Sequence, residues 1–137
     1  MNILFYLTPK ASCVVLYEDE SIRSALQRME DSGFAALPII RKEDGCYRGT
    51  LTDGDILWAL KKKCDFDMRQ AEELSIMEIE HQKDYLPVSV STDMRDLLRK
   101  AMDQNFVPVV DDRDSFIGIV TRKSILAQYV ASVGEEM

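Results

Sequence analysis

The chain states one pattern twice. Asp31-Ser32-Gly33-Phe34 is answered by Asp103-Gln104-Asn105-Phe106, and Leu37-Pro38-Ile39-Ile40 by Val107-Pro108-Val109-Val110. Gly49-Thr50-Leu51-Thr52-Asp53 is then answered by Gly118-Ile119-Val120-Thr121-Arg122. A repeat of this length means two copies of one supersecondary unit, each too small to bury its own core, packed against each other. Function is therefore expected at the seam between the copies.

The 137 residues suffice for one compact domain or two tightly packed halves. The formal net charge of −7 argues against a phosphate-backbone binder or an anionic-lipid binder, both of which need clustered Lys and Arg. The one basic run, Lys61-Lys62-Lys63, falls at the end of an expected helix, where cations favour the dipole. No apolar run approaches the roughly 18 residues of a membrane span. The apolar start, Met1 to Leu7, lacks a basic n-region and meets Thr8-Pro9-Lys10 too early for a signal peptide. A cytoplasmic location is expected. Cys13, Cys46 and Cys64 are odd in number, widely spaced and without a C-x-x-C, which reads as reduced thiols in or near a core.

Periodicity supplies the elements. Cys13–Tyr17 reads as a strand, and Ile22, Ala25, Leu26 and Met29 line one helical face after a Ser21 N-cap. Gly33 suits the left-handed end of that helix. Residues 36–40 and 46–51 read as a hairpin turned at Glu43-Asp44-Gly45, followed by a helix to about Lys63 on which Ile56, Leu57 and Leu60 share a side. The second half repeats the order. A strand runs over 87–90, and a helix carries Leu97, Leu98, Ala101 and Met102, ended by Asn105 in a left-handed conformation. A hairpin then spans 107–120, and a last helix runs from about Arg122 to Ala131. Each copy is thus β-α-β-β-α. The expected division is repeat 1 over 1–67, a connecting helix over 68–81 that also opens the second copy, repeat 2 over 77–131, and a frayed tail over 132–137.

This order and these motifs resemble a pair of cystathionine β-synthase (CBS) domains, a Bateman module. The pieces that carry the resemblance are Phe34-Ala35-Ala36-Leu37-Pro38-Ile39-Ile40 and Gly49-Thr50-Leu51-Thr52-Asp53-Gly54-Asp55, with Pro108-Val109-Val110-Asp111 and Gly118-Ile119-Val120-Thr121 in the second copy. The second piece fits the family's G-h-x-[ST]-x-x-D pattern, except that Thr50 stands at the apolar position. The resemblance implies an α/β (α+β) fold of two CBS-type repeats packed with pseudo-twofold symmetry. It implies a regulatory module that binds an adenine nucleotide of the AMP, ADP or ATP class, with S-adenosylmethionine or cyclic di-AMP as alternatives, and that pairs into a homodimer. No cofactor is required beyond that regulatory ligand.

The residues allow that chemistry. Thr52 closes a strand and Asp55 opens the following helix, where a carboxylate can accept hydrogen bonds from both ribose hydroxyls. Backbone N–H groups at the helix start can face a phosphate. Apolar strand residues can sandwich an adenine whose edge is read by backbone groups. Read alone, Thr52 and Asp55 are equally an N-cap with an acidic first turn, and that reading stays open beside the ribose one.

Two departures shape the sites. Phe34 and Phe106 lie 72 residues apart, Pro38 and Pro108 70, and Gly49 and Gly118 69, so repeat 2 lacks two residues between its Phe and its Pro. Asp55 is matched by Ser124, which removes the acidic ribose partner from repeat 2. In the family a site commonly draws its acid from one repeat and its adenine platform from the other. The resemblance therefore implies one site of Thr52 and Asp55 with a platform of Leu86, Val88, Phe106 and Pro108. A second site joins Val14, Ala35, Ala36 and Pro38 to Thr121 and Ser124, with Arg122 and Lys123 for phosphate. The Asp55 site ranks first, because a lost carboxylate is harder to replace than a backbone segment.

Catalysis is not expected. His81 is the sole histidine and no Ser or Cys has an evident base partner. Trp58 is read as packing between repeats or at a dimer face rather than as a base-stacking residue. The leading expectation is a stand-alone sensor that signals in trans to an effector protein by a population shift. The alternative is a CBS pair with decayed sites, acting as an interaction or dimerisation module.

Overall fold

A computed structural model describes residues 2–136. The regular elements are β1 (Leu7–Pro9), β2 (Leu16–Tyr17), α1 (Ile22–Ser32), β3 (Ala36–Ile40), β4 (Tyr47–Thr52), α2 (Asp53–Lys63), α3 (Met68–Glu73), β5 (Val88–Ser89), α4 (Met94–Asp103), β6 (Phe106–Val110), β7 (Phe116–Thr121) and α5 (Arg122–Glu136). The chain forms two compact units: Val14–Asp84, and a discontinuous one made of the N-terminal 13 residues with Tyr85 onward.

Both units have the α/β order that the repeat predicts. In the 14–84 unit β2 pairs in parallel with β3 and β3 antiparallel with β4, giving the order β2-β3-β4. In the other unit β5 pairs in parallel with β6 and β6 antiparallel with β7. Even the irregularity recurs, as a register shift at Ile39/Ile40 and again at Val109/Val110. The apolar faces form a core of Leu16, Ile22, Leu37, Ile39, Leu51 and Ile56 in one unit. Val88, Leu97, Val107, Val109 and Val120 form the core of the other.

The first 13 residues depart from the expected division. β1 pairs antiparallel with β7 (Leu7 with Val120, Pro9 with Gly118), making a four-stranded sheet β1-β7-β6-β5. Ile3 is buried in that same core. A Cβ on Gly118 would overlap the Thr8 carbonyl oxygen and stand 2.9 Å from Leu7 Cδ1, so glycine is what lets β1 close on β7.

The expected helix over 68–81 is only Met68–Glu73. Beyond it the backbone is drawn to the head of α1: Ile22 N–H donates to the Leu74 carbonyl at 2.9 Å and Ile76 N–H to the Glu20 carbonyl at 3.0 Å. Helical composition there yields to these tertiary bonds. Gly33 ends α1 with φ 76°, as predicted. Asn105 does not play that part for α4. The cap is Gln104, in extended conformation, because its side chain turns inward. α5 continues through Glu136, across most of the stretch expected to fray, and Met137 lies outside the described residues. Cys13, Cys46 and Cys64 form no disulfide among the described residues, and burial, with Asp67 nearby, pushes the Cys64 thiol up. Among the described residues no helix is long and apolar enough to cross a membrane.

Candidate functional site

The hairpin of each unit delivers a threonine directly into a helix start. In the 14–84 unit, Thr52 Oγ1 accepts from Asp55 N–H at 3.1 Å while Asp55 Oδ2 accepts from Thr52 N–H at 2.9 Å, a reciprocal capping box. Asp55 Oδ1 accepts from Gln82 N–H at 2.7 Å, and the residue is 1% exposed. The N-cap reading is thus present in full, and the carboxylate also ties the 82 backbone to α2. Each carboxylate oxygen retains a further lone pair, so capping does not exhaust its accepting capacity.

The matching position of the other unit has no carboxylate. Thr121 Oγ1 accepts from Ser124 N–H at 3.0 Å, and the two hydroxyls lie 2.9 Å apart. Arg122 does not stand free beside them. Its Nε donates to the Ala101 carbonyl at 2.6 Å and its Nη2 to the Met102 carbonyl at 3.1 Å. A guanidinium on the last carbonyls of α4 offsets the negative end of that helix. Lys123 is exposed.

The two sets of platform residues differ in accessibility. Around β3, Val14 is half-buried and Ala35 exposed, while Ala36 and Pro38 are buried strand residues. Around β6, Leu86 is 57% exposed, but Val88, Phe106 and Pro108 are buried and form no open surface with it. The strand register explains this. Ala36 pairs with Thr52 and Phe106 with Thr121, so Phe106 occupies the place of Ala36, not of Phe34. Its ring packs against Tyr85, with centroids 5.3 Å apart.

Three residues are important here that the sequence pattern did not single out. Gln104 is 4% exposed and its side chain bonds the backbone of Leu86 and Phe106; Tyr85 is buried against Phe106; Gln82 donates its backbone N–H to Asp55. In the sequence repeat Gln104 answers Ser32, one polar residue for another, and only the strand register sets it against Phe34, so the repeat carried no signal for it. His81 lies beyond α3 with Nε2 3.1 Å from the Ile76 carbonyl oxygen. Trp58 is partly exposed, with the Lys61 and Lys62 ammonium groups 5.4 and 5.6 Å from its ring centroid. It borders a hollow of about 90 Å³ that Ile79 and Gln82 also line.

A family model described as the CBS domain matches residues 7–62 and 76–131. The chain belongs to the CBS domain family. The first matched segment begins at the very strand, β1, that pairs inside the second unit. Solved structures repeat the CBS-pair fold over nearly the whole chain. A CBS domain protein from Streptococcus pneumoniae TIGR4 is 28% identical, with 93% of this chain and 86% of that one covered and a TM-score of 0.83. A CbpB protein in complex with c-di-AMP is 24% identical over 98% and 88% of the two chains, at a TM-score of 0.86. CBSX2 in complex with AMP is 21% identical over 95% and 96%, at 0.74. The last two likenesses are of fold. No curated protein matches this CBS pair by sequence.

Proposed function

We propose that this CBS pair is a regulatory module that binds an adenine nucleotide and signals to a partner protein by a change of conformation. The observation that carries the reading is the contrast between the two copies of the platform. In the first, the loop Gly33-Phe34-Ala35 is exposed, with the small Ala35 next to β3 and the Phe34 ring 54% exposed beside it. That is room for a flat heterocycle against backbone groups. Two proteins of the same fold support the ligand class. One is in complex with c-di-AMP and the other with AMP, and both ligands carry an adenine on a ribose phosphate. The base is assigned to Val14, Ala35 and the edge of β3, and Thr52 and Asp55, which the resemblance paired with the Leu86 platform, are offered here to ribose hydroxyls on their own repeat. Asp55 is 1% exposed, so a ribose reaches it once the Gln82 N–H bond to Oδ1 opens.

Thermal denaturation with AMP, ATP, c-di-AMP and S-adenosylmethionine tests this. A ligand at about 100 times its Kd stabilises by roughly 2.7 kcal/mol, which for a chain of this size is on the order of 10 °C. Ala35→Trp should abolish that response while leaving the unliganded melting point within about 2 °C, because Ala35 is exposed. Absence of any shift with all four ligands would favour the second reading, an interaction module. That reading draws on the fully partnered Asp55 and the closed platform at Phe106. For either function we propose a homodimer, supported by the exposed Leu126, Tyr129 and Val130 on α5. Sedimentation equilibrium should give twice the chain mass, and Tyr129→Glu should shift it toward the single chain.

A further inference from the structure

Gln104 is a buried polar side chain whose hydrogen bonds follow a specific pattern. Its Oε1 accepts from Leu86 N–H at 3.1 Å, and its Nε2 donates to the Leu86 carbonyl at 3.4 Å and the Phe106 carbonyl at 3.2 Å. One carboxamide thus satisfies both backbone groups of a single residue, with an acceptor beside a donor. The Watson–Crick edge of adenine presents the same pair, N1 accepting next to an N6 amino group that donates. Leu86 itself is exposed, so its backbone lies near the surface while the carboxamide reaches it from inside.

The first copy has nothing equivalent. In the strand register Gln104 falls on Phe34, an apolar side chain that is 54% exposed, and the helix of the first copy ends at the neighbouring Gly33, with nothing within 4 Å of where a Cβ would stand. The residue matching Phe106 is Ala36. We propose that Gln104 is an internal surrogate for an adenine edge. It occupies the base-reading backbone of the second repeat and restricts purine binding to the first. This rests on the adenine-nucleotide reading of the first repeat, which it deepens by assigning the two copies unequal roles.

The test is the backbone amide spectrum of the full chain titrated with adenosine. In the native protein the Ala35 and Ala36 amides should move and Leu86 should not. In Gln104→Ala the Leu86 amide should also move, saturating at an adenosine concentration at least about tenfold below any movement in the native chain. Purine riboside, which lacks the 6-amino donor, should leave Leu86 in place. A static Leu86 in Gln104→Ala, an equal shift in the native chain, or an equal response to purine riboside would each overturn the proposal. Movement of Leu86 in the variant with Ala35 and Ala36 unmoved throughout would keep it and refute the first-repeat reading. Gln104→Leu, similar in volume but with neither donor nor acceptor, provides a second variant with the same expected outcome. Failure of both variants to fold would make Gln104 a structural staple only and also overturn the proposal.

Discussion

Gly118→Ala should release β1 from the second unit and lower stability by about 3 kcal/mol, the upper end of the usual cost of overpacking where backbone must shift. The added methyl would overlap the Thr8 carbonyl oxygen and press on Leu7. These are backbone and branched side-chain atoms with little freedom to move aside. The loss should appear in urea denaturation as a lower midpoint, and in hydrogen exchange as faster exchange of the Leu7 and Thr8 amides. Gly49 gives the comparison. It holds the equivalent strand position with φ 138°, yet its nearest neighbour to an added Cβ is His81 Nδ1 at 3.9 Å. Gly49→Ala meets conformational strain without a clash and should cost on the order of 1 kcal/mol. Equal losses at the two glycines would show that β1 pairing does not depend on the contact at Gly118.

Asp55→Ala should be as damaging for a different reason. It removes the acceptor for two backbone N–H groups, of Thr52 and Gln82, at a site closed to water. Each orphaned donor costs about 1–3 kcal/mol, so a loss of roughly 3–5 kcal/mol is expected in urea denaturation. Thr52→Ala removes only the hydroxyl half of the capping box and should cost about 1 kcal/mol. A loss below about 1 kcal/mol for Asp55→Ala would mean that water or a rearranged loop replaces the carboxylate. The size of this effect is why Ala35, not Asp55, is the cleaner position for testing a nucleotide contact.

The two-fold internal pattern made most of the fold legible. Local signals also located Ser21 as an N-cap and Gly33 as a left-handed terminator, because cap chemistry depends on a few adjacent residues. What escaped was non-local. A three-residue strand such as β1 carries no periodicity to say which sheet it joins. Residues 74–81 have helical composition, but their hydrogen bonds are taken by the head of α1. At the site, the shared Phe suggested that Phe34 and Phe106 correspond, whereas strand register equates Phe106 with Ala36. Gln104 reads as loop polarity in sequence and is a buried clamp in space, since nothing in a residue type shows which way its side chain turns. Thr52 and Asp55 left capping and ribose contact open together, and the capping bonds are formed.

The pairing of β1 with β7 also has a consequence in time. Leu7 and Val120 are edge partners yet lie 113 positions apart along the chain. At a synthesis rate of roughly 5–20 residues per second, the nascent N-terminal strand waits on the order of 6–20 s before its mate is even made. The segment 14–84 can acquire its own sheet in that interval, whereas the other unit must await the synthesis of β7. Pulse-labelled or stalled ribosomal chains should therefore show protease protection of the middle of the protein well before its beginning.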